Sequence, residues 1–300
     1  MRSDSKSPTL PASGLRLLAL GLFAVLIAAC STVRLGYNFA DTLLLRSMER
    51  YVALDAAQEK LVRQRLAALM DWHRATQLTD YAAFLQSARS RLDGRVIAAE
   101  EILAFNEGLN ARMAALGERA APDAAALALT LTPAQIDQVE RKLVDDNIKA
   151  RKQSQQEVRQ EVDARAEKYA ERAEFWLGTV SDHQLRLVRA SLAGRPVDSL
   201  YWIEARERRT KDLVALLRRI QAERPPEAIA ANWFRAYFRE LARPSNADQR
   251  ARAEAFRRDN ARLIAQLVNS ASAEQRAHLD GKLAGFETEF IQLAQRGTAG

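Results

Sequence analysis

Cys30 is the only cysteine in the 300-residue chain, and it closes the run Leu26-Ile27-Ala28-Ala29-Cys30. A thiol can act as a nucleophile, bind a metal, form a disulfide or accept a lipid, and its neighbours choose among these roles. No second cysteine is present for a disulfide. The three histidines, His73, His183 and His278, fall into neither His-x-x-x-His nor His-x-x-Glu spacing, so no metal site is expected. There is no Gly-x-Ser-x-Gly elbow, no glycine-rich phosphate loop and no dinucleotide fingerprint, and neither a cofactor nor a catalytic residue is expected. Acidic doublets such as Glu100-Glu101 and Asp145-Asp146 would supply at most one carboxylate of a glycosidase pair, and on helices this charged they read as solvated faces.

Lipid acceptance fits Cys30 best. Arg2 and Lys6 precede, and Arg16 opens, an apolar stretch from about Leu15 to Ile27, the order of a cationic n-region and an h-region. A membrane-spanning helix needs roughly 20 apolar residues, so a stretch this short is expected to be cleaved. Ala28 and Ala29 before the cysteine resemble the lipobox cut by the lipoprotein signal peptidase. Residues 1–29 then read as a signal peptide, and Cys30 as the mature N-terminus carrying S-diacylglycerol and an N-acyl chain. The alternative is an ordinary secretory signal with an Ala-x-Ala-like site and a buried free thiol. Ser31, where an aspartate would resemble an inner-membrane retention signal, points to the outer membrane, facing the periplasm.

Removing residues 1–29 takes three basic residues and one acidic residue from totals of 45 and 38, leaving 42 against 37 and a net charge near +5. Arginine dominates the basic set, and its planar fork suits phosphate and carboxylate, as on anionic lipid or peptidoglycan. No basic run of the kind seen in nucleic-acid tails is present, so nucleic acid is not an expected partner.

The elements behind the cysteine read as helices throughout. Apolar residues recur every three to five positions, as in Ile97, Ile102, Phe105, Leu109, Met113 and Leu116, and no period-2 strand exceeds four residues. The expected fold class is all-α, an antiparallel helical bundle. Four helix starts share one chemistry: Asp55-x-x-Gln58, Thr132-x-x-Gln135, Ser181-x-x-Gln184 and Ser272-x-x-Gln275, three of them full capping boxes. Their spacings of 77, 49 and 91 residues are too irregular for a solenoid. They read as separate helix beginnings, with a diverged duplication as the alternative.

Between Pro133 and Leu177 there is neither glycine nor a further proline, and Gly178 makes a stop. An unbroken helix there would be about 67 Å long at 1.5 Å per residue. Its middle, Lys149 to Glu157, is polar nearly all round, which predicts a solvent-bridging helix not buried on any face. The expected organisation is an N-terminal helical half over 30–131, this connecting helix over 132–178 and a C-terminal helical half over 179–296. Expected helices are 41–52, 56–75, 79–92, 97–116, 123–129, 198–221, 227–241, 246–270 and 273–295. Breaks are expected at Gly94, Pro122, Gly194, Pro225-Pro226 and Pro244-Ser245-Asn246. Arg151 and Lys152 in the polar middle, with Arg206, Arg208 and Arg209 in the basic segment 204–211, form the candidate partner surface, alongside the simpler reading of wet helix faces. Trp176, Trp202 and Trp233, with Phe234, Tyr237 and Phe238, read as core.

The segment Cys30-Ser31-Thr32-Val33-Arg34-Leu35-Gly36-Tyr37-Asn38, then Ala40-Asp41-Thr42-Leu43, Asp71-Trp72-His73-Arg74 and Trp176-Leu177-Gly178 ahead of Gln184, resembles a family of helical proteobacterial lipoproteins known only as a domain of unknown function. The resemblance covers nearly the whole mature chain. It implies a helical, lipid-anchored envelope protein and transfers no catalytic residue. The expected function is binding, scaffolding or chaperoning in the periplasm without enzymatic activity, with an envelope protein, peptidoglycan or anionic lipid as partner. The competing class is an enzyme acting on peptidoglycan or lipid. A steric chaperone in the manner of membrane-anchored lipase foldases is a third, on architecture alone.

Overall fold

The capping chemistry of the sequence becomes helix starts in the computed structural model, which describes residues 36–92, 95–158, 162–193 and 198–296. Asp55 and Asn246 accept the backbone N–H groups of Gln58 at 2.8 Å and Gln249 at 3.0 Å. Thr132, Ser181 and Ser272 do the same for Gln135, Gln184 and Gln275, each at 3.2 Å. The helices are α1 Ala40–Glu49, α2 Ala56–Trp72, α3 Leu78–Arg91, α4 Ala99–Ala128, α5 Pro133–Val158, α6 Val162–Leu177, α7 Asp182–Ala193, α8 Asp198–Glu223, α9 Glu227–Ala242, α10 Ala247–Asn269 and α11 Ala273–Arg296. No strand occurs among the described residues, and the fold is all-α. No described helix is long and apolar enough to cross a membrane. The chain divides into Met1–Ala40 and Asp41–Gly300, and the helices that follow belong to the second unit.

Neighbours are chosen across the sequence more than along it. The closest pairs are α4 with α9, α3 with α11 and α5 with α8. Each is antiparallel. Asp137, Asn147 and Arg151 of α5 meet Arg218, Thr210 and Glu207 of α8 in reverse order. Tyr81 and Arg89 of α3 likewise meet Phe290 and Asp280 of α11. The main core gathers Leu131, Ile136 and Val139 with Leu217, Ile220 and Phe234, around the alanines of α4 and α9. Burying each large side chain stabilises the fold by roughly 1.5–3 kcal/mol.

Two boundaries differ from the sequence reading. Pro122 does not end a helix: α4 runs through it to Ala128. An interior proline costs about 3 kcal/mol. Ala121, Ala125 and Ala128, all buried in the main core, offset that cost by close packing. Second, no break separates the helices at 56–75 and 79–92. They join through one wide turn at His73–Gln77, in which Leu78 N–H donates to His73 O, five residues back. The connecting helix is described in two parts, α5 and α6, and residues 159–161 between them lie outside the described residues. Gly94 and Gly194-Arg195-Pro196 also lie outside them.

Among the described residues, two hold left-handed backbone. Gly178, with φ +79°, follows α6, and a Cβ there would come within 3.1 Å of His278 Nδ1. Arg224 ends α8 with φ 45°. It precedes Pro225, which disfavours the right-handed region. The conformation costs a non-glycine residue about 1–2 kcal/mol. Its N–H donates to Ile220 O at 2.9 Å and its guanidinium to Leu129 O at 2.6 Å.

Candidate functional site

The four capping glutamines meet two by two. Gln58 Oε1 accepts the Asp55 N–H at 3.0 Å, as a capping box requires, and also Gln135 Nε2 at 2.7 Å. Gln58 Nε2 donates back to Gln135 Oε1 at 3.1 Å and to Thr130 O at 3.0 Å, while Gln135 Nε2 reaches Ala53 O at 2.8 Å. Gln184 and Gln275 repeat this arrangement. Gln184 Oε1 accepts Ser181 N–H and Gln275 Nε2, each at 2.9 Å. Gln184 Nε2 donates to Gln275 Oε1 at 3.1 Å and Leu267 O at 3.3 Å, and Gln275 Nε2 to Thr179 O at 2.8 Å. Every amide donor and acceptor in both clasps is used. The clasps join the positive N-terminal ends of α2 to α5 and of α7 to α11, where side-chain oxygens take up the orphan N–H groups. The helix starts recognised separately in the sequence therefore work as pairs.

The expected basic surface splits between helices that face one another. Arg151 Nε and Nη2 grip the Glu207 carboxylate at 2.8 and 2.6 Å. Arg206 Nε donates to Asn147 Oδ1 at 2.8 Å, and Asn147 Nδ2 to Thr210 Oγ1 at 2.9 Å. The Arg151 guanidinium holds Glu207 below the usual carboxylate range, and Glu207 raises Arg151 in return. Lys152 is exposed, while Arg208 and Arg209 are half-buried. Arg209 Nε donates to Ala205 O, and its own carbonyl accepts the Tyr237 hydroxyl at 3.3 Å. Burial raises that phenol to about 12. The polar middle of α5 is thus covered on one side, with Asn147 and Ser154 buried, which corrects the expectation that no face of it would be. A polar face is buried when its groups are matched by a polar partner. Asp137 goes with Glu140 to Arg218.

His73 opens the wide turn and starts a run of rings across the fold. Successive centroids lie 5.3 Å from His73 to Tyr81, 5.8 Å to Phe290, 6.5 Å to Phe286, 6.0 Å to Trp176 and 5.0 Å to Phe175. The run begins among half-buried side chains and ends in solvent. Phe175 is 49 % exposed and Trp176 39 %, and Lys282 Nζ sits 4.5 Å from the Phe175 centroid. The sequence reading placed Trp176 in the core, and its partly exposed position corrects that. Trp202 is also 40 % exposed, whereas Trp233, Phe234 and Phe238 belong to the main core. Enrichment of aromatic residues, with a cation beside them, marks interaction surfaces. This ledge at the end of α6 is the candidate site.

Burial lowers the His73 pKa and raises that of Tyr81, whose buried hydroxyl has no hydrogen-bond partner among the described residues. For His73 the unfolded chain takes up the proton at higher pH than the folded one. Its contribution is therefore complete above about pH 6.5 and is lost as the pH falls below that value. Replacing His73 by Phe is expected to flatten the dependence of unfolding free energy on pH between 6.5 and 5.5, measured by urea titration at each pH. An unchanged slope would contradict this role.

Residues 50–226 match the model of Family of unknown function (DUF6279). The chain belongs to this family. The matched span holds Gln58, Gln135 and Gln184 and the Phe175–Trp176 ledge, while Gln275 lies beyond it. No curated protein and no solved structure matches the chain.

Cys30 lies outside the described residues. His183 and His278 are exposed beside clasp glutamines. Glu101 is held below the usual carboxylate range by Arg95 and the Ala98 N–H, and Asp146 by Lys142. Among the described residues no group of three or more His, Cys, Asp or Glu side chains is placed to hold a metal. The glutamine pairing and the wide turn at His73 were not anticipated. The only sequence signal for the pairing is the fourfold recurrence of one box.

Proposed function

We propose that this protein is a cell-envelope lipoprotein whose helical body holds a partner in the periplasm, with no catalytic activity. The reading is carried by one observation: the sole thiol of the chain closes Leu26-Ile27-Ala28-Ala29-Cys30 behind a cationic and apolar leader. On this reading residues 1–29 are removed and Cys30 carries a diacylglyceryl thioether and an N-acyl chain. Two or more chains anchor stably where one gives only marginal binding. Ser31 favours the outer membrane, with the body facing the periplasm.

The binding role draws support from Phe175 and Trp176, large rings left in solvent at the end of a packed aromatic run and flanked by Lys282. Trp and neighbouring aromatics supply interface energy out of proportion to their number. The partner class that fits is an envelope protein or glycan presenting an apolar surface with an acidic rim. Affinity capture from envelope extracts with the wild-type protein and with F175A/W176A tests this. The double variant is expected to fold normally and to lose its partner by about 30-fold or more, the equivalent of one strong interface residue at about 2 kcal/mol. Equal recovery by both proteins would remove the ledge from the proposal.

A further inference from the structure

The first helix of the Asp41–Gly300 unit carries an outer face that its own core does not explain. Leu45 anchors α1 at 2 % exposure. At 100° per residue, Asp41 and Glu49 fall within about 40° of Leu45, flanking the anchored side, and both are exposed there. Leu43, Leu44, Arg46 and Ser47 fall about 100° or more away, and Arg50 follows the last residue of the helix. Leu43 is 56 % exposed and Leu44 43 %, Arg46 and Arg50 are exposed, and an Arg50 Nη2 donates to Ser47 Oγ at 2.8 Å. Two leucines and the Arg46 guanidinium thus share the outward side, with the exposed Arg50 just past the helix end, while the exposed acids flank Leu45.

We propose that this face of α1 docks on an anionic phospholipid surface, holding the body against the bilayer to which Cys30 is tethered. The proposal rests on the lipid-anchor reading above. Two observations name the occupant. Asp41 follows Cys30 by eleven residues, a contour of at most about 40 Å, so a lipidated Cys30 keeps α1 within reach of headgroups. The charge is complementary: basic groups beside exposed leucines suit anionic headgroups over an apolar interior, and each guanidinium near such a surface is worth about a fivefold gain in binding.

The test uses the lipidated mature protein, beginning at Cys30, reconstituted in vesicles of phosphatidylethanolamine and phosphatidylglycerol. With Cys30 acylated, Ser47→Cys supplies a single thiol for a bimane probe, and exposed Ala255→Cys a control. Flotation with the vesicles reads the anchor, and quenching by nitroxide-labelled lipid reads docking. Expected is flotation of both proteins, strong quenching at position 47 and little at 255. R46Q/R50Q should lower the docked-to-free ratio about 30-fold without altering flotation. Flotation with equal quenching at 47 and 255 overturns the docking and leaves the anchor standing. So does a position-47 signal that responds only to protein density, which would report a second copy. Failure to float overturns both.

Discussion

Gln184→Leu is expected to destabilise the folded chain by about 3–5 kcal/mol, the sum of two to three orphaned buried polar groups at 1–3 kcal/mol each. Gln184 is fully buried, and its amide serves Ser181 N–H, Gln275 and Leu267 O at once. A leucine fills similar space and returns none of these bonds. For a domain of this size that loss lowers the melting temperature by roughly 10 °C. The decisive comparison is with Gln275→Leu and the double variant. Because the two amides bond to each other, the double variant should lose less than the sum of the single losses, by about 1–2 kcal/mol. Strict additivity in urea-unfolding measurements would show that the glutamines act only as separate caps. Gln135→Leu in the first clasp should cost less, because Gln135 is only half-buried and water can replace part of what it loses.

Cys30→Ser is expected to abolish membrane retention of the mature form and to accumulate full-length precursor. A hydroxyl does not take the diacylglyceryl group, and the lipoprotein peptidase acts after that transfer. Metabolic labelling with an alkyne palmitate analogue should fall to background. The change is qualitative, since untethered α1 would hold on through two leucines and two arginines alone. Unchanged labelling and processing would mean that an ordinary secretory signal precedes an unmodified thiol.

Local chemistry was legible in the sequence where it is self-contained. A Ser, Thr or Asp followed three residues later by Gln fixes a helix start whatever the rest of the chain does, and the starts at Asp55, Thr132, Ser181 and Ser272 all appear. The pairing of these glutamines was hidden because the capping box already accounts for a glutamine at that position; its second donor gives no sign of its target. The seam between α5 and α8 was hidden for a related reason. Polarity on all sides of Lys149 to Glu157 normally means solvent, yet Glu207 and Thr210 offer matching groups on a helix about 60 residues away. Pro122 stays within α4 because packing of small alanines outweighs a local penalty, and such packing is a property of two helices together. The wide turn at His73 has no signature of its own, since each residue in it has helical backbone preferences. The ledge was misread because Trp176 has core-like spacing; its exposure depends on where α11 ends up beside it.

Arg89 shows how far interhelical charge contributes. It bridges Asp280 at 2.8 Å and Glu287 at 2.7 Å, lowering the Asp280 pKa and fixing α3 against α11. These groups remain partly in water, so the pair tunes register more than stability.

The anchor decides whether α1 meets a bilayer and the ledge a periplasmic partner at all, and the intact mass of the protein extracted from the membranes of its native host measures it directly. The expected mass is that of a chain beginning at Cys30, increased by one diacylglyceryl group and one acyl chain, with the added mass confined to the N-terminal peptide. A chain retaining residues 1–29, or one beginning near residue 30 with an unmodified thiol, would contradict it.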